Sequence, residues 1–267
     1  MKIFNYGSIN IDHVYQVDHI ALPGETIAAR QYSRVSGGKG ANQSVALARA
    51  GAKVLHIGSI GQDGEAERFA LASAGVDVSF ISQGSAPTGC AIIQVAESGE
   101  NSILIFGGAN QAIPETNLES ALATAGVGDI FLAQNETNGI AQALQAAKKL
   151  GLKTCLNPAP CGPEVKNYPL EAVDILVLNE TEAASLTGES AAQPAIDALA
   201  KKYPRMEIVL TLGAKGGIYH STAENFGFPA AVAEKVIDTT AAGDCFIGYY
   251  LAKLAEGAPP RERLAGA

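Results

Sequence analysis

The chain has 267 residues, of which 47% are hydrophobic and 17% are charged, so it can build a substantial core and shows no sign of intrinsic disorder. Its formal net charge of −8 argues against nucleic acid or an anionic membrane as a partner, because both are themselves negative. Its four cysteines lack zinc-ligand spacing, and no apolar run approaches the roughly 18 residues that span a bilayer, so we expect a cytoplasmic protein with free thiols.

The first predicted element is a strand. Residues 2–7 form an apolar run that ends in glycine, and Asn10 and Asp12 follow it. Ligands of open α/β sheets bind beyond the carboxyl ends of the strands, so these two polar residues are candidate ligand contacts. Asn and Asp also favour turns, and an ordinary turn is the alternative interpretation.

Two pairs of segments alternate polar and apolar residues at every second position, which is typical of β-hairpins. The first pair is 13–20 with 26–35, and the second is 89–96 with 101–106. Both pairs interrupt a chain that otherwise alternates strands and helices. We therefore predict that they form one small antiparallel sheet, which projects from the main domain as a lid.

The rest of the chain has a regular rhythm of strand and helix, and a glycine follows many of the helices in the usual C-cap position. This pattern predicts an α/β fold with a mostly parallel sheet flanked by helices on both faces. The predicted domains are an α/β domain of residues 1–11, 36–88 and 107–267 and a β-sheet lid of residues 12–35 and 89–106.

A glycine cluster occupies residues 36–43, with the sequence Ser-Gly-Gly-Lys-Gly-Ala-Asn-Gln. It matches neither the P-loop nor the dinucleotide-binding pattern GxGxxG. Its glycines would let the backbone pass close to a small polar ligand, and Asn42 offers a donor and acceptors to ligand hydroxyls. The alternative is a flexible turn between a strand and a helix.

Polar residues or glycines also follow four later predicted strands, where a parallel sheet places its active edge. These segments are 134–136, 157–160, 179–182 and 211–217. Asn179 and Glu182 share a helix face, and such a pair of oxygen ligands suits Mg²⁺ bound through water. Alternatively, the acid only complements the dipole of a first helical turn.

The stretch from Asp238 to Asp244 places small residues between two carboxylates, just before an apolar run compatible with a helix. The first N–H groups of a helix have no intrahelical partner and attract anions. Asp244 would stand at the mouth of this anion site, a suitable position for deprotonating a hydroxyl next to a phosphate. The alternative is a helix capped by an ordinary aspartate.

Six motifs in this order resemble those of the ribokinase-like (PfkB) carbohydrate kinases, and the resemblance extends from Met1 to about Gly257. The matching segments are 10–12, 37–43, 157–160, 179–182, 211–213 and 238–244. The resemblance implies an ATP-dependent sugar kinase, and its motifs favour ribose, phosphorylated on its 5-hydroxyl. Deoxyribose, a fructose-type ketose or a nucleoside stay open as substrates, as does a non-catalytic sugar sensor on the same scaffold.

The resemblance also implies roles for the matching residues. Asp244 would be the base, and the backbone N–H groups of Ala242, Gly243 and Asp244 would form the anion hole, with Ala241 as a further catalytic residue. The sugar would be held by Asn10, Asp12, Gly38, Lys39, Asn42, Glu136 and Asp244. The nucleotide site would be lined by Asn179, Thr211, Gly213 and Gly216. Glu182 would organise Mg²⁺, and Asp238 with the carbonyl of Thr240 would bind K⁺.

The same resemblance implies that the lid excludes water from the sugar, which prevents hydrolysis of ATP, and that it forms the contact of a homodimer.

Two features depart from the family pattern. Tyr249 follows Gly248 where two small residues are usual, which we expect to alter helix packing rather than chemistry. The sequence also stops at Ala267, inside a helix opened by Pro260, so we expect a truncated chain or weakened binding of nucleotide and K⁺.

Overall fold

The computed structural model of the protein describes residues 1–231 and 239–265. Its strands are β1 (Lys2–Tyr6), β2 (Asn10–Val17), β3 (Gln31–Gly37), β4 (Lys53–Ile60), β5 (Asp77–Gln83), β6 (Gly89–Ala96), β7 (Asn101–Phe106), β8 (Ile130–Gln134), β9 (Lys153–Asn157), β10 (Ile175–Asn179), β11 (Glu207–Thr211), β12 (Gly217–His220) and β13 (Asn225–Phe228). Its helices are α1 (Lys39–Arg49), α2 (Glu65–Ser73), α3 (Glu115–Leu122), α4 (Ile140–Lys149), α5 (Glu180–Thr187), α6 (Ala192–Lys202), α7 (Ala242–Ala255) and α8 (Pro260–Ala265).

The main sheet has nine strands in the order β13-β12-β11-β10-β9-β8-β1-β4-β5. The strands from β11 to β5 in this order pair in parallel, and β12 and β13 add an antiparallel edge. Successive residues of β1 point to opposite faces, so that Ile3 belongs to one apolar core and Phe4 to the other. The predicted α/β fold, with a mostly parallel sheet buried on both faces, is confirmed.

The lid sheet has four strands in the order β3-β2-β6-β7. Its two hairpins, β2–β3 and β6–β7, are antiparallel, as the alternating pattern predicts. The two central strands, β2 and β6, pair in parallel, with Asn10 opposite Gly89. The strand β2 follows β1 and the strand β6 follows β5. Because β1 and β5 are parallel strands of the main sheet, β2 and β6 both start from the carboxyl edge of that sheet and point in the same direction.

Some elements differ from the sequence pattern or are not predicted by it. The second strand of the first hairpin begins at Gln31 instead of residue 26, because its pairing with β2 ends where Gln31 faces Gln16. The pattern does not predict β5, α3, β12 or β13. The last two have only four residues each, which is too short for a clear period-two signal.

Close approaches of glycine fix the position of α1. A Cβ on Gly40 would lie 2.4 Å from the backbone N of Ser8 and 2.6 Å from the Cα of Gly7, so α1 begins directly against the end of β1. A Cβ on Gly248 would lie 2.4 Å from that of Ala46, so α1 and α7 also pack closely. Tyr249, the departure from the family pattern, is 37% exposed. The close contact of Gly248 with Ala46 therefore sets α7 directly against α1.

No helix within the described ranges combines the length and the hydrophobicity needed to cross a bilayer. The predicted helix at the end of the sequence is present as α8, which begins at Pro260. It packs against α7, and the buried side chain of Arg263 donates to Glu207 at 2.7 Å. This ion pair links α8 to the start of β11.

Candidate active site

A cleft of about 260 Å³ lies at the carboxyl edge of the main sheet, beside the N-terminus of α7. Three strands contribute their last residue to its wall: Asn157 from β9, Asn179 from β10 and Thr211 from β11. The polar lining also includes Lys39 of α1, Glu182 of α5, Asp244 of α7 and Thr239. Three of the four later strand ends that the sequence singles out therefore meet in one place, as parallel pairing requires, while residues 134–136 are not part of this wall.

The turn that starts α7 has an unusual backbone conformation. Ala241 has φ 59° and ψ 11°, and it is the one non-glycine residue with positive φ in the described part of the chain. Such conformations cost energy and cluster at functional sites. The N–H groups of Gly243 and Asp244 lie in the first helical turn, where no intrahelical acceptor exists. Beyond Gly243's own helix backbone and chain neighbours, no atom of the described residues lies within 4 Å of the position of a Cβ on Gly243, so a ligand can approach these groups closely.

Asp244 is 7% exposed, and two side-chain amides donate to its carboxylate. Its Oδ1 accepts from Nε2 of Gln43 at 2.9 Å, and its Oδ2 accepts from Nδ2 of Asn42 at 3.2 Å. Burial raises the pKa of Asp244, while the hydrogen bond from Gln43, the charge of Lys39 and the hydrogen bond from Asn42 act in the opposite direction. The site thus holds a desolvated carboxylate whose charged form is supported by oriented donors.

Asp12 and Glu136 form an acidic pair on the lid side of the site. Oε2 of Glu136 accepts from the backbone N–H of Lys39 at 3.0 Å and from the hydroxyl of Ser8. Burial, followed by the charge of Glu136, raises the pKa of Asp12 to about 6. Oδ1 of Asp12 is buried and has no hydrogen-bond partner among the described residues. A buried acceptor in this state is costly, which is consistent with a contact that a ligand completes.

Asn10 lies where the lid meets the main sheet. Its Oδ1 accepts from Nδ2 of Asn110 at 2.7 Å, and Asn110 also accepts from the backbone N–H of Ile9 at 2.9 Å. Gly38 has φ 92°, and a Cβ there would lie 3.0 Å from the backbone N of Asn10. The glycine cluster therefore passes close to Asn10, as its composition predicts. Direct contacts thus link Asn10 to Gly38, Glu136 to Lys39, and Asn42 to Asp244.

Asn179 and Glu182 are joined in a capping box at the start of α5. The side-chain oxygen of Asn179 accepts from the N–H of Glu182 at 2.9 Å, and Oε2 of Glu182 accepts from the N–H of Asn179 at 2.9 Å. Oε1 of Glu182 accepts from Nδ2 of Asn179 at 3.1 Å. Burial raises the pKa of Glu182, against these bonds and the charge of Lys39. Asn179 and Glu182 therefore have a structural role at the start of α5, and both residues also line the cleft.

The metal predictions rest on few ligands. The described residues contain no group of three His, Cys, Asp or Glu side chains that could hold a metal ion. Glu182, a single carboxylate, fits Mg²⁺ only together with water and ligand phosphates, which is the usual mode for this ion. Asp238, predicted to bind K⁺, lies outside the described residues, and Thr240 lies in the turn before α7.

Two predicted nucleotide residues lie apart from the cleft. Gly213 begins a one-turn 3-10 helix that follows Thr211, and Gly216 ends it. Both have positive φ, and neither belongs to the cleft wall formed by the described residues. A Cβ on Gly216 would lie 2.0 Å from the carbonyl oxygen of Phe228, so the tight turn toward β12 already requires this glycine. Gly216 therefore has a structural reason that is independent of any nucleotide.

Sequence reasoning missed three polar residues that support the site: Gln43, Gln134 and Asn110. Gln43 donates to Asp244, Gln134 donates to Gln43, and Asn110 donates to Asn10. Gln43 adjoins Asn42 in the glycine cluster, and Gln134 ends an otherwise apolar strand, so both carried a local signal. Asn110 lies in a 3-10 turn and has no such signal.

Comparison with known proteins agrees with this geometry. The family described as pfkB family carbohydrate kinase matches residues 1–267. The chain is 42% identical over 259 residues to the ribokinase of Haemophilus influenzae, which covers 94% of this chain and 84% of the relative. Both the family match and the identity thus extend over nearly the whole sequence.

Solved structures have the same fold. The ribokinase of Cryptococcus neoformans in complex with ADP superposes with a TM-score of 0.85 at 34% identity, covering 99% of this chain and 90% of that one. The ribokinase of Arabidopsis thaliana complexed with ribose and ATP superposes with a TM-score of 0.87 at 31% identity, covering 98% and 88%. Together with the cleft, the buried Asp244 and the helix N-terminus beside it, these matches show that the chain belongs to the pfkB family of carbohydrate kinases, enzymes that transfer a phosphoryl group to a sugar hydroxyl.

Proposed function

We propose that this protein transfers the γ-phosphoryl group of ATP to the 5-hydroxyl of ribose, giving ribose 5-phosphate. The observation that carries the proposal is the buried carboxylate of Asp244, held by Asn42 and Gln43 beside the N-terminus of α7. The ribokinases of Haemophilus influenzae and Arabidopsis thaliana, similar over most of this chain, support ribose as the acceptor. The bound ADP and ATP of the similar structures support ATP as the donor.

In the proposed reaction, Asp244 accepts the proton of the sugar hydroxyl as the hydroxyl oxygen attacks the γ-phosphorus. The bond from phosphorus to the β–γ bridging oxygen breaks, and ADP leaves. Phosphoryl transfer mainly requires positioning and charge stabilisation. The N–H groups of Gly243 and Asp244 would stabilise the transferring group, and that of Ala242 would first release the carbonyl of Thr239, to which it donates at 3.1 Å.

The remaining residues divide by ligand. We propose Asn10, Asp12, Gly38, Lys39, Asn42 and Glu136 as sugar contacts and Asn179, Thr211, Gly213 and Gly216 as nucleotide contacts. Glu182 would hold Mg²⁺ through bound water, and the ion would neutralise charge on the phosphates. Asp238 and the carbonyl of Thr240 would hold K⁺ beside the anion hole. Residues 12–35 and 89–106 would act as the lid that excludes water from the sugar.

Release of ADP with a panel of acceptors tests the substrate. With Mg-ATP, we expect the highest kcat/KM for ribose and lower values for deoxyribose, fructose and adenosine. No ADP should form without a sugar, since a closed site excludes water. Activity should require Mg²⁺ and increase when K⁺ replaces Na⁺. A higher kcat/KM for another acceptor would contradict ribose, and calorimetric sugar binding without turnover would favour a sugar sensor.

We also propose that the lid sheet joins two copies of the chain in a homodimer. Its edge strand β7 exposes a row of large apolar side chains, of which Leu104 is 66% exposed. The row consists of Ile103, Leu104, Ile105 and Phe106. An exposed apolar edge strand with unpaired backbone groups is a ready surface for another copy. A second copy would cover the row and provide partners for that edge.

The oligomeric state tests this contact. Wild-type protein should sediment as a dimer, and the double substitution Ile103→Lys and Ile105→Lys should sediment as a monomer, because charge at both positions opposes burial. Phe69→Lys is the matched control, since Phe69 is 74% exposed on α2 and does not belong to the lid sheet. A wild-type monomer at micromolar concentration, or a dimer that survives the double substitution, would contradict the proposal.

A further inference from the structure

A continuous series of polar side chains runs from Asp244 into the interior of the main sheet. We call it the buried polar chain, and its members are Asp244, Gln43, Gln134, Asn5, Ser44 and His56. All of them except Asp244 are fully buried. Burying so many polar groups is expensive unless each finds a partner, and apolar residues would fill the same space at no such cost. The arrangement therefore calls for an explanation beyond packing.

The far end of the chain fixes the direction of its hydrogen bonds. Nε2 of His56 lies 3.1 Å from the carbonyl oxygen of Gly7, which can only accept, so Nε2 carries the proton. Nδ1 is then an acceptor and receives the hydroxyl of Ser44 at 2.8 Å. Burial lowers the pKa of His56 to about 4, so the imidazole is neutral at physiological pH. The tautomer of His56 thus sets the orientation of the Ser44 hydroxyl.

The next links transmit this orientation through two amides. The oxygen of Ser44 accepts from Nδ2 of Asn5 at 2.8 Å, and the second hydrogen of that Nδ2 is donated to the carbonyl of Gly40 at 2.8 Å. Oδ1 of Asn5 is thereby the acceptor for Nε2 of Gln134 at 2.9 Å. The other hydrogen of Gln134 is donated to Oε1 of Gln43 at 2.7 Å. The side-chain amides of Asn5 and Gln134 each donate to two acceptors, so a flip of either amide would place its oxygen against two acceptors.

The last link reaches the carboxylate. Because Oε1 of Gln43 faces Gln134, its Nε2 faces Asp244 at 2.9 Å and Oδ1 of Asn157 at 3.2 Å. Asn157 is itself oriented, since its Nδ2 donates to the carbonyl of Val177 at 3.0 Å. A flipped Gln43 would direct its oxygen at the negative carboxylate. The side chains of β1, β4 and β8 therefore determine that Gln43 presents a donor, and not its oxygen, to Asp244.

We propose that Gln43 and Gln134 are positioning residues for phosphoryl transfer, and that the buried polar chain holds the carboxylate of Asp244 in its ionised form and in one orientation. This inference rests on the proposed role of Asp244 as the base. Neither glutamine belongs to the wall of the cleft within the described residues. Their contribution should therefore appear in the rate of the chemical step and in its pH dependence, with little effect on substrate binding.

Substitution by methionine tests the inference, because methionine fills a similar volume and cannot donate. Gln134→Met removes the donor that orients the amide of Gln43, so Gln43 no longer holds its Nε2 toward Asp244. We expect kcat to fall about tenfold, the loss of one oriented hydrogen bond to a charged group, while KM for ribose changes less than twofold. With its donor no longer fixed, the charged form of Asp244 is less favoured, so the acid limb of the kcat profile moves to higher pH. Gln43→Met should have the larger effect. The double variant should be no slower than Gln43→Met alone, because its last link is already lost.

A matched control separates positioning from general destabilisation. Thr154→Val removes another fully buried polar group in the same sheet, whose hydroxyl donates to Ala172 and has no link to Asp244. It should lower the free energy of unfolding and leave kcat and the pH profile unchanged. If Gln43→Met does not fold, Gln134→Met and Ser44→Ala still interrupt the chain, and each should shift the acid limb in the same direction.

The carboxyl ¹³C resonance of Asp244, assigned with Asp244→Asn, gives a readout that does not depend on turnover. Its pKa should be higher in Gln134→Met than in the wild type. An unchanged carboxyl pKa together with unchanged kcat in both glutamine variants would overturn the inference. Full turnover by Asp244→Asn would instead overturn the role of Asp244 as the base. Additive losses in kcat for the double variant would also show that the two glutamines act separately, against the inference.

Discussion

Asp244→Asn is expected to reduce kcat on the order of a thousandfold, within the range that general-base catalysis supplies. The amide keeps the shape of the side chain and cannot accept the proton of the sugar hydroxyl. The buried cleft around it should still bind both substrates, so KM for ribose and for ATP should change little. Steady-state kinetics with the same ADP-release assay measure both parameters.

The pH profile of the wild type follows from the same residue. Only the ionised form of Asp244 can act as the base, so kcat should rise with pH through the pKa of this carboxyl. Because burial raises that pKa, the acid limb should lie at higher pH than for an ordinary aspartate. Asp197→Asn, which changes an exposed carboxylate on α6, is the control and should leave the profile unchanged. A variant at position 244 with a substantial part of the wild-type rate would rule out the base assignment.

Asp12→Asn should weaken ribose binding and stabilise the protein at the same time. If the carboxylate accepts two sugar hydroxyls, the loss in affinity should be at least about a hundredfold, since each hydrogen bond to a charged group contributes about 1.5–3 kcal/mol. In the free protein, Oδ1 of Asp12 is buried, finds no hydrogen-bond partner in the part of the chain that the structure describes, and is repelled by Glu136. The neutral amide removes this repulsion, so the melting temperature of Asp12→Asn at pH 8 should exceed that of the wild type.

The sign of the pH dependence supports this expectation. The pKa of Asp12 is raised from 3.8 to about 6, so between these values the folded state binds a proton that the unfolded state has lost. Stability from this group therefore falls as pH rises from 4 to 6, and the cost persists above pH 6. Asp12→Asn should remove that slope, while ribose affinity of the wild type should fall as pH drops below 6.

Asp63→Asn is the control for Asp12→Asn, because the carboxylate of Asp63 has hydrogen-bond donors. Oδ1 of Asp63 accepts from the N–H of Thr88 at 2.9 Å and from its hydroxyl at 2.7 Å, and these bonds lower the pKa of Asp63. Its replacement should therefore lower the melting temperature at pH 8, opposite to Asp12→Asn. Equal destabilisation by both variants in thermal unfolding would contradict the view that Asp12 is held at a cost for its ligand.

The sequence predicts those parts of the site that follow from local patterns. Asn157, Asn179 and Thr211 come at the ends of apolar strands, and parallel pairing brings such ends together without further information. The glycines before Asn42 and the small residues before Asp244 likewise indicate close backbone approach. Each of these signals is complete within a few neighbouring residues.

The remainder depends on contacts between distant segments. The parallel pairing of β2 with β6 joins hairpins that lie far apart in the chain, and no local periodicity encodes it. The bond between Gln134 and Gln43 spans 91 positions, so neither residue reveals its partner. For Glu182, the pattern leaves two alternatives, a magnesium ligand or an acid that complements the helix dipole, and it does not predict the capping box that the structure contains.

The strand order of the main sheet has a consequence for how such proteins diversify. The chain proceeds from β1 outward to β4 and β5, returns to β8 on the other side of β1, and continues outward to β11. The proposed acceptor contacts thus arise almost entirely before β9, and the proposed donor contacts after it. With these proposed assignments, acceptor preference and donor preference would be encoded in separate stretches of the gene, so point changes in one stretch would alter one preference while the other is inherited unchanged. The buried polar chain connects these two stretches, since all its members except Asp244 precede β9 and Asp244 follows it.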